Sequence, residues 1–159
     1  LRLALFQPDI PQNLGAAIRL TACLGIGLDV VGPCAFPLDD RRLKRAALDY
    51  GPLADVTRRA SFDDLRAASG AARVVLMTTS ARQSFLTFDF RQDDIVLMGS
   101  ESAGAPAFVH AAVDARLRIP MSAGSRSLNV VVAAAMALSE AMRQTGLWRG
   151  EEDDAHDPA

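Results

Sequence analysis

The sequence predicts an α/β domain built on a mainly parallel sheet. Three observations carry that expectation. Short apolar runs alternate with segments of helical periodicity, the order that βαβ units produce. Gly and Pro fall at the joints between the two kinds of segment, where turns and helix ends belong. The chain has 159 residues, of which 50% are hydrophobic and 23% charged, enough for one core and little more.

The elements follow in order. Leu1 to Phe6 is an apolar run that stops at Gln7-Pro8 and reads as a buried strand. Pro11 to Leu24 is helical, with apolar side chains at Leu14, Ala17, Ile18 and Leu24, Pro11 in the first turn and Gly25 as the stop. Leu28 to Val31 is a second strand, closed by Gly32-Pro33. Asp39 to Leu48 is charged and predicted to be a short helix. Ser61-Phe62-Asp63-Asp64 has the form of a capping box and opens a helix that ends at Gly70. Arg73 to Thr79 and Asp94 to Met98 are the third and fourth strands. Gly104-Ala105-Pro106 starts another helix, and Arg116 to Ile119 is a fifth strand stopped by Pro120. Ser127 to Thr145 is the longest helical candidate, ending at Gly146. It is apolar nearly all round, so it must be covered on several sides, and a subunit interface is a natural cover.

Composition excludes several classes. The longest unbroken apolar run is Val130 to Leu138, nine residues, where a membrane span needs roughly 20, so no membrane partner is expected. No charged-then-apolar leader precedes the first strand, and Cys23 and Cys34 stand in no paired-ligand spacing. A reducing cytoplasm and a site without metal are therefore expected. The net charge is −2, but Glu151 to Ala159 holds five acids and no Lys or Arg, leaving 17 basic against 14 acidic residues in 1–150. Residues 1–150 read as one unit, and 151–159 as an acidic tail expected to be disordered.

Nucleotide-binding loops follow strands, which sorts the glycine-rich stretches. Gly25-Ile26-Gly27 precedes a strand and reads as a helix cap and turn. Gly99-Ser100-Glu101-Ser102-Ala103-Gly104 directly follows Ile95 to Met98, but it continues Ala105-Pro106 and lacks the Lys and hydroxyl of a triphosphate loop. What remains is a glycine turn at a strand's carboxyl end, where open α/β sheets bind ligands. Glu101 in that turn is either a solvated loop acid or an acceptor for a ligand amine or hydroxyl. Met121 to Asn129 is a small-residue loop leading into the apolar helix; Ser127 suits its N-cap, while Arg126 and Asn129 are polar groups at its mouth. Asn13 and Arg19 pose the same question on the first helix. His110 falls in a predicted helix and His156 in the tail, so Ser/His/Asp catalysis has no support.

Taken together, these stretches have a familiar order. Gln7-Pro8-Asp9-Ile10-Pro11-Gln12-Asn13 with Gly15 and Arg19 resembles the first motif of the SPOUT-class RNA methyltransferases. Met98 to Gly104 resembles their second motif, and Arg118 to Met121 with Ser125 to Asn129 their third. Asp39 to Ala46 and Leu48-Asp49-Tyr50 are similar to the TrmL branch, the short 2′-O-methyltransferases of the tRNA wobble nucleotide. The resemblance implies helices on both faces of the sheet, a C-terminal trefoil knot, a homodimer, tRNA as substrate and S-adenosylmethionine as methyl donor. It places the cofactor against Met77, Gly99, Ile119, Ser127 and Leu128, with a side chain at Gly99 filling space the cofactor needs. Arg19, Asn13, Glu101 and Asn129 become the catalytic group; the resemblance implies a general-base role for Arg19, whereas guanidinium chemistry favours a phosphate clamp and stabiliser of a developing alkoxide. Arg41, Arg42, Lys44, Arg45 and Arg126 become RNA contacts. Ser139 stands where the branch often has Tyr, and Ser80-Ala81-Arg82 replaces its usual turn, which bears on the choice of nucleotide. Two other readings remain. One is a binding protein that kept the fold and lost the chemistry. The other is a nicotinamide oxidoreductase, which the absence of Gly-x-Gly-x-x-Gly after the first strand disfavours.

Overall fold

Period-two burial along the strands is what builds the sheet. Leu3 and Leu5, Leu28 and Val30, Val75 and Met77, and Val96 and Met98 point to one face, and Ala4 and Phe6, Val74 and Leu76, and Ile95 and Leu97 to the other. Strands buried on both faces need helices on both, and the computed structural model, which describes residues 1–37, Arg45, Tyr50 and 53–148, has them. The elements are β1 (Arg2–Phe6), α1 (Pro11–Leu24), β2 (Gly27–Val31), β3 (Val56–Arg59), α2 (Phe62–Ser69), β4 (Val74–Met77), β5 (Gln83–Ser84), β6 (Ile95–Met98), α3 (Ala107–Ala112), β7 (Ala115–Arg118) and α4 (Val130–Thr145). The seven strands lie in the order β3-β2-β1-β6-β4-β7-β5. Every pairing between them is parallel. One face is covered by α1 and α4 through Leu14, Ala17, Ile18, Ala134, Ala137, Leu138 and Ala141. The other is covered by α2 and α3 through Phe62, Leu65 and Val109. No helix among the described residues is long and apolar enough to cross a membrane.

The caps behave as their residue types require. Gly25 and Gly146 end α1 and α4 in the left-handed conformation, at φ 65° and 68°. Ser61 caps α2 by accepting the Asp64 N–H at 3.1 Å. The long helix departs from expectation: α4 begins at Val130, not Ser127, because the Asn129 carboxamide oxygen takes the N–H groups of Val131 and Val132 at 2.9 and 3.3 Å. Two strands were absent from the sequence reading, β3 and β5. Both sit at the sheet edges, where one ladder suffices and no apolar run announces them. β3 is held instead by charge. Asp29, buried in the middle of β2, accepts Arg2 Nε from β1 at 2.6 Å and Arg59 Nε from β3 at 2.8 Å. The helix predicted over Asp39 to Leu48 and the acidic tail lie outside the described residues, apart from Arg45.

Candidate active site

The carboxyl ends of β1, β4, β6 and β7 meet at one edge of the sheet, and the loops leaving them bound a cavity of about 540 Å³. Each loop is shaped locally. After β1, Gln7 turns the chain with φ 47°, and Pro11 then opens α1, which puts Asn13 in its first turn. After β6, Ser100 and Gly104 exchange two backbone hydrogen bonds, at 3.0 and 2.9 Å, and close a tight loop with Glu101 near its tip. Gly99 is required by that closure: a Cβ there would stand 2.4 Å from the Gly104 carbonyl carbon and 2.6 Å from the Ala105 nitrogen. A side chain there would collide first with the loop's own backbone, so Gly99 is fixed by the loop as well as by its place on the cavity wall.

A hydrogen-bonded chain ties three separate segments together. Asn129 Nδ2 donates to Asn13 Oδ1 at 3.0 Å, and Asn13 Nδ2 donates to Glu101 Oε1 at 2.9 Å. The Asp9 N–H donates to Glu101 Oε2 at 3.1 Å. Ser102 donates to Asp9 Oδ2 through its backbone N–H at 3.1 Å and through its hydroxyl. The Glu101 carboxyl lines the cavity and at the same time anchors the β6 loop to α1.

Asn13, Met77, Gly99, Glu101, Ile119, Ser127, Leu128 and Asn129 all line the one cavity. Arg19 does not; it is exposed on α1 with its guanidinium 5.4 Å from the centroid of the Tyr50 ring, a cation–π contact. Arg126 and Arg45 are also exposed and outside the lining. Arg41, Arg42 and Lys44 fall outside the described residues. Sequence reasoning assigned no role to Thr78 and Thr79, which line the cavity just after β4, or to Asp9 and Tyr50. The Thr pair directly after an apolar strand was the available signal; nothing local to Asp9 announced its partner Ser102, 93 residues away. The Ser139 carbonyl receives the indole N–H of Trp148 at 3.3 Å.

The cavity suits an adenosine-bearing molecule. Met77, Ile119 and Leu128 offer an apolar slot, Thr78, Thr79 and Ser127 offer hydroxyls, and Ala103, Ala105 and Ala133 keep the walls shallow. Among the described residues no group of three or more His, Cys, Asp and Glu is placed to hold a metal ion.

Residues 1–139 match the family described as SpoU rRNA Methylase. The chain belongs to that family. A SpoU relative from Beijerinckia indica subsp. indica, named tRNA (cytidine(34)-2′-O)-methyltransferase, is 51% identical over 146 residues, covering 91% of each chain. A solved structure described as giving insights into the 2-OH methylation of C/U34 on tRNA superposes with a TM-score of 0.87 at 41% identity, over 90% of this chain and 94% of that one. The SpoU methyltransferase AviRb from Streptomyces viridochromogenes, solved in complex with the cofactor AdoMet, gives a TM-score of 0.81 at 29% identity, over 91% of this chain and 60% of that one.

Proposed function

We propose that this chain transfers a methyl group from S-adenosylmethionine to the ribose 2′-hydroxyl of a tRNA, at the wobble nucleotide, position 34, where the base is cytidine or uridine. The observation that carries the reading is the chain Asn129–Asn13–Glu101, which brings three sequence motifs to one cavity at the strand ends. Support for the substrate comes from relatives that bear this activity in their names and are matched along more than nine-tenths of this chain.

When bound, S-adenosylmethionine supplies a methyl group already activated on a sulfonium. Met77, Gly99, Ile119, Ser127 and Leu128 would hold it. The protein's remaining tasks are to align the accepting oxygen and to ease loss of its proton. Arg19 cannot serve as a base, because a guanidinium stays protonated. Its planar fork of donors suits a phosphate and the charge growing on the 2′-oxygen. Tyr50 holds that guanidinium on the exposed side of α1. Asn13, Glu101 and Asn129 fix the floor against which the reaction takes place. Arg41, Arg42, Lys44, Arg45 and Arg126 would meet the RNA backbone.

The reading includes a homodimer and the knotted C-terminal crossing. On α4, Val132 and Met136 lie one turn apart and are 50% and 40% exposed, an apolar stripe that a second copy would cover. The deciding experiment incubates the protein with S-adenosylmethionine and tRNA from a strain lacking it, then maps the methylated nucleotide. A 2′-O-methyl group at position 34 supports the reading. Methylation at another nucleotide would move the substrate and keep the chemistry, whereas no methylation of bulk tRNA or rRNA would favour a binding protein.

A further inference from the structure

The polarity of the hydrogen-bonded chain is dictated from one end. The Asn129 carboxamide oxygen is committed to the N–H groups of Val131 and Val132, so its other end must be the NH₂ donor. It donates to Asn13 Oδ1, which makes the far end of Asn13 a donor as well. Glu101 Oε1 therefore accepts from Asn13, and Oε2 accepts the Asp9 N–H. On Asp9, Oδ2 accepts twice from Ser102. Asp9 Oδ1 is left buried with no donor among the described residues. A buried acceptor without a donor is costly. The neighbouring group that can supply a hydrogen is the carboxyl of Glu101, whose Oε2 already lies 3.1 Å from the Asp9 backbone nitrogen.

We propose that Glu101 is held as a neutral acid whose proton is donated to Asp9 Oδ1, so that Asp9 is a positioning residue that locks Glu101 and Asn13 and withdraws Glu101 from proton transfer. In this arrangement the proton sits on Oε2, which still accepts the Asp9 N–H with its remaining lone pair. Every donor and acceptor in the chain is then satisfied, including the atom that was orphaned.

The electrostatics agree with the geometry. The groups facing the pair are the Asn13 amide from α1, Ser102 from the β6 loop and, through Asn13, Asn129 at the start of α4. Among the described residues no Lys, Arg or His forms an ion pair with either carboxyl. Two neighbouring carboxyl groups without a cation cannot both ionise easily. The hydrogen bond from Glu101, helped by the Ser102 donors, holds Asp9 below the ordinary aspartate value. Burial first, and the facing Asp9 second, push Glu101 above the ordinary glutamate value. The sign follows. Between the ordinary glutamate value and the raised one, the folded state binds the extra proton, so the lock weakens as pH rises through that window. Above it two carboxylates face each other, and the tip of the β6 loop is pushed off α1.

The protonation is independent of the methyltransfer reading, on which the role of the lock in catalysis rests, and the experiment separates the two. Carboxyl carbons of ¹³C-labelled, ligand-free protein are followed by NMR across pH, with Glu101→Gln used to assign the Glu101 signal. The expected result is a Glu101 signal that titrates at least about one pH unit above the other glutamates, a tenfold shift in its proton affinity. In Asp9→Asn the same signal falls back toward the ordinary range, because the new amide donates to an ionised Glu101. Single-turnover transfer to tRNA should decline as pH rises through the Glu101 titration in the wild type, and Asp9→Asn should lack that limb. A wild-type Glu101 that titrates with the other glutamates overturns the proposal, and that measurement stands even if Asp9→Asn fails to fold. Identical pH profiles for wild type and a folded Asp9→Asn overturn the positioning role of Asp9. Absence of transfer at every pH, with the raised Glu101 titration intact, counts against the methyltransfer reading and supports the neutral acid.

Discussion

Arg19 leaves α1 toward solvent and lies over Tyr50, outside the cavity that Asn13 enters from the same helix. That separation divides binding from chemistry. Arg19→Ala should leave affinity for S-adenosylmethionine unchanged by calorimetry and lower single-turnover transfer about 10²–10³-fold, the usual loss when one donor to a developing oxyanion is removed. Arg19→Lys should recover little, since an ammonium is a point charge and cannot form a planar fork. Wild-type turnover by Arg19→Ala would sink the assignment. Glu140 offers a second test at this scale. Arg143 and Gln144 donate three hydrogen bonds to its carboxylate at 2.7–2.8 Å and hold it at about 2, below the ordinary glutamate value. A lowered acid stabilises the fold above its unfolded value, and the benefit is lost as pH falls toward the folded one. Arg143 is largely exposed, so the effect is small. The melting temperature of Glu140→Gln should trail the wild type slightly at neutral pH, and the gap should close between about pH 4.5 and 2. A gap unchanged at low pH would show that these bonds are not its source.

At the scale of elements, one residue serves both a helix and the site. Asn129 caps α4 with its oxygen and holds Asn13 with its nitrogen. Asn129→Asp separates the two jobs, because Asp caps a helix about as well as Asn but has no NH₂ to donate. Stability should change by less than about 1 kcal/mol in urea denaturation. Transfer should fall at least about tenfold, the worth of one lost hydrogen bond of about 1.4 kcal/mol in the transition state. A variant that loses stability and keeps its rate would make Asn129 a cap only. The β6 loop is the other element whose form sets function. Its closure between Ser100 and Gly104 leaves no room at Gly99, so a side chain there would reach the cavity only by deforming the loop that carries Glu101.

For the whole molecule, the question is what covers α4. Ala134, Ala137, Leu138, Ala141 and Met142 are buried against the sheet, while Val132 and Met136 remain open. A second copy placed there would make the assembly homodimeric. Val132→Arg with Met136→Arg should yield a folded monomer in sedimentation at micromolar concentration, because neither side chain contributes to the core of one copy. A dimer that persists at wild-type strength would place the interface elsewhere.

Much of this was legible along the chain, and the reason is that it depended on local periodicity. Apolar runs marked β1, β2, β4 and β6, a short stretch stopped by Pro120 marked β7, Pro11 and Gly25 bounded α1, and Ser61 and Gly70 bounded α2. The cavity residues came from the resemblance of three ordered motifs, and they lie at and just beyond strand ends, where an α/β sheet places its ligands. β3 and β5 were not legible, because an edge strand is chosen by its neighbour; Arg59 belongs to the sheet through Asp29, 30 residues earlier. The start of α4 was misjudged because Ser127 and Asn129 are both good caps, and only the folded chain shows which oxygen meets the free N–H groups. The pairing of Asp9 with the loop at Glu101 and Ser102 was beyond the sequence altogether. A proton shared between two acids depends on distance, burial and the absence of a nearby cation, and those are properties of the packed structure.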